Sequence, residues 1–484
     1  MSISSFEDRR LRVGRAPTGN SLTSLVAEQI PLNVKQRMVV EKVLSDALAW
    51  AEHPFDSSRR KQMLLCIMGE GGTGKSQVIK AIVTGMDLLH RKKEVILTAP
   101  TGAAADNIGG NTYHTSLGIS IDRSRATSTT RSRIKRLWER KTIIIVDEVS
   151  MMDLTMLSMI NNHCKMAKSL DRNSPEFFGG LPIVIFVGDF FQFSPVRGPA
   201  LWRVPRLNKD EDEIGQLLWH QFTQVIILDE QMRQTEDLSF RDFLLRARSG
   251  SLTSNDLSLN SKAITSLADP QLEGAMTVVK RNSIRHMVNR IQMEKFARLR
   301  NQRIYIYSAI HTRTKSTGPG NIRLRADDLL QQPDQGATIP FPGLFLYSTG
   351  MPAVILTNIC TALGQVNGAA GTAVGVVVDP SDYKGQGSTL ASAILDLKDD
   401  PTIRGLDRHR KFCSTYVQLS RLRSSEGLHL LQRLDMKDLQ FEPDPRLLSE
   451  IQRLQELEKQ TMAAWEGDKR REVHNKSQAD ERPE

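Results

Sequence analysis

The chain is poor in cysteine and lacks long apolar runs, and each absence excludes a class of protein. Its 484 residues include four cysteines, which lie far apart and form no C-x-x-C pair. Such cysteines suit buried thiols in a reducing compartment better than a zinc site or a disulfide framework. No apolar stretch approaches the ~18 residues that a transmembrane helix needs. We therefore expect no membrane-spanning segment and no membrane partner.

Acidic residues are in the minority, and the start of the chain has no apolar block. The 65 lysines and arginines outnumber the 55 aspartates and glutamates, which gives a net charge of +10. This charge favours a polyanionic partner without proving one. Residues 1–30 are polar and carry charges of both signs, so we expect a disordered lead-in rather than a secretory signal. The length allows two or three domains with sizeable cores.

The strongest positive signal is a glycine-rich stretch. Residues 69–76 read GEGGTGKS and match the pattern G-x-x-x-x-G-K-[ST] at every fixed position. An apolar run at 63–68 precedes the stretch and a helical pattern at 77–83 follows it. A strand, a glycine turn and a helix start direct several backbone N–H groups at one point, which binds phosphate. The sequence therefore predicts a site for a nucleoside triphosphate.

The chemistry of this pattern assigns roles to its residues. Lys75 is predicted to reach the β- and γ-phosphates, and the Ser76 hydroxyl is predicted to ligate Mg²⁺. The residues predicted to hold the nucleotide here are Gly69, Glu70, Gly71, Gly72, Thr73, Gly74, Lys75 and Ser76. The structural alternative is a glycine-rich turn that merely precedes a helix.

A second signal is an apolar strand that ends in two carboxylates. Residues 141–148 read KTIIIVDE, and their β-branched residues are typical of a buried parallel strand. Asp147 is predicted to hold Mg²⁺, usually through water, and Glu148 to orient and deprotonate the attacking water. The alternative is a chance acidic strand end, which the glycine-rich stretch upstream disfavours.

Three further positions are candidates on weaker grounds. Gln36, at the start of a helical pattern, could place its amide against an adenine edge, or could simply be solvated. Gln192 follows a buried strand at 181–189 and could sense the γ-phosphate. Its neighbours Phe190 and Phe191 could stack on nucleic-acid bases, worth ~1–3 kcal/mol each, although core packing is the commoner fate of such a pair.

Taken in order, these motifs resemble those of the petite-integration-frequency (PIF) family of superfamily-one DNA helicases, especially its eukaryotic branch related to mobile elements. The resemblance extends from about Leu32 to Leu430. It is carried by residues 32–36 (LNVKQ), 69–76 (GEGGTGKS), 101–104 (TGAA) with 110–114 (GNTYH), 147–153 (DEVSMMD), 188–196 (GDFFQFSPV), 232–234 (MRQ) with 246–250 (RARSG), 384–389 (KGQGST) and 416–423 (YVQLSRLR).

The resemblance implies an α/β fold in which two tandem RecA-like domains with parallel sheets, of the P-loop NTPase class, hold ATP and Mg²⁺ between them. We expect the first domain over 31–228, the second over 229–442, and an amphipathic helix with a charged tail over 443–484. The implied activity is ATP-driven 5′→3′ translocation on single-stranded DNA with strand separation. Implied roles are DNA repair, recombination and telomere maintenance, by a monomer in the nucleus or the mitochondrion that also binds DNA junctions.

The resemblance also assigns two arginines to the phosphoryl group and a set of residues to DNA. A planar guanidinium fits the oxygens of a transferring phosphoryl group, and the family motifs place Arg233 and Arg421 in this role. The alternative for each arginine is a surface salt bridge. The residues implied to contact DNA are Thr101, His114, Phe190, Phe191, Lys384, Gln386 and Thr389. For Thr101 and its neighbours, the stretch alone favours a tight strand-to-helix connection.

One departure from the family pattern lies just before the fifth motif. The segment 369–383 is short where the family has a small β-barrel insertion, and Tyr383 stands where histidine is more frequent. This predicts a shortened second domain with weak coupling between DNA binding and ATP turnover. One alternative is therefore a degenerate helicase that binds ATP and DNA without productive unwinding. Another is a different P-loop class such as a small-molecule kinase, against which Arg233 and residues 416–423 argue.

Overall fold

The computed structural model comprises two compact units. The first contains Met1–Pro100, Asn107–Arg233 and Pro443–Glu484, and the second contains Thr101–Asp106 and Gln234–Glu442. The residues that the structure describes are 18–52, 61–118, 128–171, 173–234, 236–264, 275–279, 282–308, 343–354, 370–373, 392–397, 408–439 and 442–480.

A helix, α1 (Gly19–Gln29), begins the described part of the chain, where the sequence analysis expected disorder. Its first turn is closed by a capping box, in which the side chains of Thr18 and Ser21 each accept a hydrogen bond from the other residue's backbone N–H. Leu22 and Val26 lie one turn apart and are fully buried. The prediction was wrong for this stretch because a strong cap and a short apolar stripe suffice when a core is available.

The first unit is built on a six-stranded parallel sheet. In chain order its strands are β1 (Met63–Gly69), β2 (Val95–Ala99), β3 (Asn111–Thr112), β4 (Ile143–Val146), β5 (Ile183–Gly188) and β6 (Gln224–Leu228). In space they follow the order β3-β2-β4-β5-β1-β6, and every pairing is parallel. The carboxyl ends of these strands therefore share one edge, where the residues that follow β1, β4 and β5 lie.

Helix α2 (Val34–Glu52) precedes β1, and the other helices lie along the chain between the strands. They are α3 (Lys75–Leu88), α4 (Gly102–Asn107), α5 (Tyr113–Leu117), α6 (Ser128–Trp138), α7 (Leu154–Ala167) and α8 (Asp210–His220). Strands β1, β4 and β5 are buried along their whole length. Near-continuous runs of apolar residues are typical of parallel strands that are covered on both faces.

The second unit has a parallel sheet of its own. Its helices and strands are α9 (Leu238–Ser249), β7 (Met276–Val278), α10 (Asn282–Leu299), β8 (Tyr305–Ser308), β9 (Leu344–Tyr347), β10 (Pro352–Val354), β11 (Ala370–Thr372), β12 (Ala393–Leu395), α11 (Arg408–Leu419), β13 (Leu428–Leu430) and α12 (Met436–Leu439). Strands β13, β12 and β7 pair in that order and in parallel. Strands β8 with β9 and β10 with β11 pair antiparallel. Most of the segment predicted to be shortened lies outside the described residues.

The longest helix, α13 (Pro445–Asp480), belongs to the first unit and packs along β6. We expected it to dock on the second domain or on a partner, and to end near residue 467 in a disordered tail. Both expectations are wrong, since its buried face covers the edge of the first sheet and the tail sequence carries many good helix formers. The buried residues of this helix are Leu447, Glu450, Leu454, Thr461 and Trp465. Within the described ranges no helix is long and apolar enough to span a bilayer.

Candidate nucleotide site

The glycine-rich stretch forms a tight loop between β1 and α3. Gly72 and Gly74 have left-handed φ angles of 103° and 82°, which residues with a Cβ rarely adopt. A Cβ on Gly74 would also overlap the side chain of Gln36. The loop therefore requires glycine at both positions, and its conformation is that of a phosphate-binding turn at a helix start.

Hydrogen bonds within the loop hold its lysine in place. The Thr73 hydroxyl donates to the carbonyl of Glu70 over 2.9 Å. The Lys75 ammonium donates to the carbonyls of Gly69 and Glu70, at 2.7 and 3.0 Å. The Ser76 hydroxyl belongs to an exposed residue in the first turn of α3. The Lys75 ammonium, predicted to bind phosphate, and the Ser76 hydroxyl, predicted to bind Mg²⁺, therefore come from adjacent residues at the start of α3.

Gln36 supports the loop from helix α2. Its side-chain amide donates to the carbonyl of Thr73 over 3.0 Å. The amide oxygen accepts from the backbone N–H of Asn33, and the Asn33 side chain accepts in turn from the N–H of Gln36, at 3.0 and 2.9 Å. The residue is 3% exposed. Its predicted contact with adenine stays a prediction, because the amide is engaged with the loop.

The segment that follows β6 also touches the loop. The N–H of Met232 donates to the carbonyl of Gly72 over 2.9 Å, and the Gln231 amide donates to the carbonyl of Gly71 over 3.0 Å. Arg233, which we expected in the second domain, belongs to the first unit and ends its segment Asn107–Arg233. No local sequence signal points to Gln231, because only the pairing of β6 with β1 brings it to the loop.

The predicted acidic pair lies at the end of β4 and is buried. The backbone N–H of Glu148 donates to the Asp147 carboxylate over 2.9 Å. Glu148 has a φ of 52°, an uncommon conformation for a residue that is not glycine. Asp147 and Glu148 are 6% and 8% exposed. Both carboxylates are therefore buried, and the backbone of Glu148 is held in an uncommon conformation.

Electrostatics link this pair to the glycine-rich loop. Burial and the neighbouring charge of Glu148 raise the pKa of Asp147 to about 7, whereas the Glu148 N–H and the Lys75 ammonium act in the opposite direction. A bound cation would favour the charged carboxylate further. The two motifs, 72 residues apart from Lys75 to Asp147 in the sequence, thus meet at one edge of the sheet.

Gln192 comes to the same edge from the end of β5. It is 3% exposed, and its amide nitrogen donates to the Asp189 carboxylate over 3.3 Å. Its amide oxygen is buried and accepts no hydrogen bond from any of the residues that the structure describes. Buried acceptors are nearly always satisfied, so this oxygen fits a site that takes up a water or another donor.

The two phenylalanines beside Gln192 are core residues. Phe190 is 1% exposed, and its ring packs edge-on against Trp219 with centroids 5.5 Å apart. Phe191 is 7% exposed. The prediction that both rings stack on DNA bases is therefore wrong in this structure, because neither offers an open face.

Two of the remaining predicted DNA contacts, Thr101 and His114, are among the described residues. The Thr101 hydroxyl accepts from the N–H of Ala104 over 3.2 Å, which is the helix-start role that the local sequence favoured. His114 is half-buried, and burial lowers its pKa. The other three, Lys384, Gln386 and Thr389, lie outside the described residues.

Arg421 lies within the second unit, just after α11. It is 2% exposed, and its guanidinium donates to the carbonyl of Val417 and to the hydroxyl of Ser420, at 3.0 and 3.1 Å. It is therefore not the surface salt bridge that was the alternative. Its action on a phosphoryl group stays a prediction.

The residues at the sheet edge fit Mg²⁺ together with a nucleotide. This ion usually keeps several waters and takes one or two protein oxygens beside those of the phosphates. Ser76 and Asp147 would supply these two oxygens. Among the described residues there is no group of three or more His, Cys, Asp or Glu that could hold a metal by itself.

The chain is similar to known proteins over the region that contains this site. Residues 32–258 match the model of the family described as PIF1-like helicase. The chain is 28% identical over 254 residues to the ATP-dependent DNA helicase PIF1 of Saccharomyces cerevisiae (strain YJM789), covering 50% of this chain and 27% of the relative. It is similar in fold to the crystal structure of Pif1 helicase from Candida albicans, with a TM-score of 0.58, 20% identity, and coverage of 88% of this chain and 99% of that chain.

A second solved structure is similar to a comparable degree. It is the Pif1 helicase from Bacteroides in complex with ADP-AlF3 and single-stranded DNA, with a TM-score of 0.54, 19% identity, and coverage of 84% and 96%. The chain spans about a quarter of the length of the curated relatives it matches first. The structural likeness confirms the α/β P-loop fold that the sequence predicted, and the similarity to the PIF1-like helicase family extends over residues 32–258, a little less than half of the chain.

Proposed function

We propose that the chain is an ATP-dependent DNA helicase, which hydrolyses ATP in the presence of Mg²⁺ and uses the reaction to separate DNA strands. One observation carries the proposal. The phosphate-binding loop at 69–76 and the buried pair of Asp147 and Glu148 converge at the carboxyl edge of one parallel sheet. The family match over residues 32–258 supports the same activity.

The residues at this edge divide the work of hydrolysis. When bound, Mg²⁺ neutralises phosphate charge during phosphoryl transfer. Lys75 binds the β- and γ-phosphates, and Ser76 and Asp147 hold the ion. Glu148 takes the proton from the attacking water. The unpaired amide oxygen of Gln192 accepts a hydrogen bond from that water and orients it, which makes Gln192 responsive to the γ-phosphate.

Single-stranded DNA is the polyanion that the proposal assigns to the net charge of +10. A relative of similar fold has been crystallised with single-stranded DNA. About half or more of the hydrogen bonds to DNA go to phosphate and sugar, so binding should weaken as salt is raised. The proposal includes 5′→3′ polarity, binding to DNA junctions, a monomeric state, and roles in repair, recombination and telomere maintenance.

The proposal also includes a finer placement of the chain. We assign it to the branch related to mobile elements, with a shortened segment at 369–383, and to the nucleus or the mitochondrion. These assignments are supported by the motif resemblance over residues 384–389 and 416–423. The ATPase assignment does not depend on these finer assignments, so it would stand even if they were wrong.

The test is ATP hydrolysis with and without single-stranded DNA, followed by unwinding of duplexes with a 5′ or a 3′ tail. We expect DNA to stimulate turnover only weakly, because the segment 369–383 is short, and we expect slow unwinding of the 5′-tailed duplex alone. Lys75→Ala serves as the control for contaminating ATPases, since it removes the charge that binds the phosphates. Turnover that ignores DNA would contradict the proposal and favour another P-loop class. DNA binding with weak stimulation and no unwinding would favour the degenerate copy.

A further inference from the structure

Side chains of the carboxyl-terminal helix α13 accept hydrogen bonds from backbone N–H groups at the open edge of the nucleotide-binding sheet. Strand β6 is an edge strand, and such strands leave backbone N–H groups without partners in the sheet. The N–H of Val225 donates to the Thr461 hydroxyl over 3.0 Å, and the N–H of Ile227 donates to the Glu458 carboxylate over 2.8 Å. Side chains more than 230 residues away in the sequence thus complete the edge.

Glu458 has a second partner that Thr461 lacks. The Lys35 ammonium donates to the carboxylates of Glu458 and Asp229 and to the carbonyl of Ile227, each over 2.9 Å. These three acceptors match the three donors of an ammonium group. Burial lowers the pKa of Lys35, but the hydrogen bonds to Asp229 and Glu458, together with the charges of these two carboxylates, raise it by more. The ammonium therefore stays charged and binds the helix to α2 and β6.

Two short routes lead from this cluster to the glycine-rich loop. Lys35 is the neighbour of Gln36, whose amide donates to the carbonyl of Thr73 in the loop. Ile227 pairs with Met68, the residue before the loop, and the chain beyond β6 reaches the loop through Gln231. Every contact on both routes lies within the first unit.

We propose that Glu458 is a positioning residue for the nucleotide loop, acting through Lys35 and Ile227 to hold the loop in its phosphate-binding conformation. The inference rests on the proposed ATP-binding function and extends it to a helix outside the matched region 32–258. The alternative is that α13 only stabilises the sheet edge. Thr461 distinguishes the two roles, because it makes the same kind of bond to β6 without contact to Lys35.

The experiment compares Glu458→Gln and Lys35→Met with the control Thr461→Val in the full chain. The first readout is hydrogen exchange of the amides at 69–76 in the nucleotide-free protein. We expect exchange to rise at least about fivefold in Glu458→Gln and Lys35→Met, within the usual range for coupled sites, and to change little in Thr461→Val. Because Glu458 and Lys35 contact each other directly, the effects of the two substitutions should not add in the double variant.

The second readout is the response to ATP. We expect KM for ATP to rise at least about fivefold with kcat within about twofold of the parent, because Glu148 and Gln192 are untouched. Equal effects of Glu458→Gln and Thr461→Val on exchange and on KM, in proportion to lost thermal stability, would overturn the inference. A parent chain that binds no ATP would instead overturn the proposed function, while the exchange result would still decide the role of Glu458.

Discussion

Gly72 lies against the side chain of Gln231, so closely that a Cβ on Gly72 would overlap the Gln231 amide oxygen. The backbone carbonyl of Gly72 also accepts a hydrogen bond from the backbone N–H of Met232, the residue after Gln231. The chain that leaves the last strand of the first sheet therefore forms one wall of the phosphate-binding loop. Substitution of either Gly72 or Gln231 should therefore alter nucleotide binding.

We expect Gly72→Ala to abolish or greatly weaken ATP binding. The new methyl group would displace Gln231 and strain a φ of 103°. The matched control is Gly109→Ala, since Gly109 has a φ of 68° but no atom within 4 Å of its Cβ position. Both variants should lose about 1–2 kcal/mol of stability from backbone strain. Titration with a fluorescent ATP analogue should show a loss of affinity for Gly72→Ala alone, and equal losses would contradict this account.

Glu148→Gln should retain ATP binding and lose hydrolysis. The amide has nearly the shape of the carboxylate but cannot take a proton from water, so turnover should fall by about 10²–10⁴. Single-turnover hydrolysis and nucleotide titration measure the two properties separately. Lys75→Ala provides the contrast, because its loss of charge at the phosphates should abolish turnover. Hydrolysis by Glu148→Gln at the parental rate would mean that another group is the base.

Arg421→Lys should lower ATP turnover by ~10³ or more, with a modest change in ATP binding. Lysine keeps the charge but loses the planar group that donates to Val417 and Ser420. The control is Arg423→Lys, two residues further along at an exposed position. Steady-state kinetics with single-stranded DNA present gives both parameters. If the two variants were equally active, Arg421 would have only a structural role.

Asp212 should make the first unit sensitive to acid. Hydrogen bonds from Arg206 lower the pKa of this fully buried carboxylate to about 2, from 3.8 when exposed. A lowered pKa contributes stability above pH 4, and this contribution is lost as pH falls towards about 2. The contribution is worth about 2 kcal/mol.

We therefore expect Asp212→Asn to be less stable than the parent at pH 6 and to lose less stability between pH 5 and pH 2.5. Urea unfolding followed by tryptophan fluorescence at several pH values measures this difference. Asp210→Asn, at an exposed position of the same helix, is the control and should follow the parent. A parallel decline of the parent and Asp212→Asn would show that the Arg206 contact does not depend on ionisation.

Much of the first unit was predictable because its signals are local. The apolar runs at 63–68 and 143–146 became buried strands, and the pattern GEGGTGKS became a loop whose glycines adopt conformations closed to other residues. Hydrophobic burial and backbone sterics act within such short stretches. The α/β class and the meeting of Lys75 with Asp147 follow from the same patterns, since parallel strands end at a common edge.

Other features depended on neighbours that are distant in the chain. Gln36 and Phe190 each had two plausible environments, and packing selected the loop carbonyl for one and Trp219 for the other. The sequence determined which segments form the nucleotide site, through residue types that specify their own backbone and charge. Only the tertiary structure decided that α13 covers β6 and that Glu458 binds Lys35, because the order of strands and the partner of an amphipathic face are set by packing between distant segments.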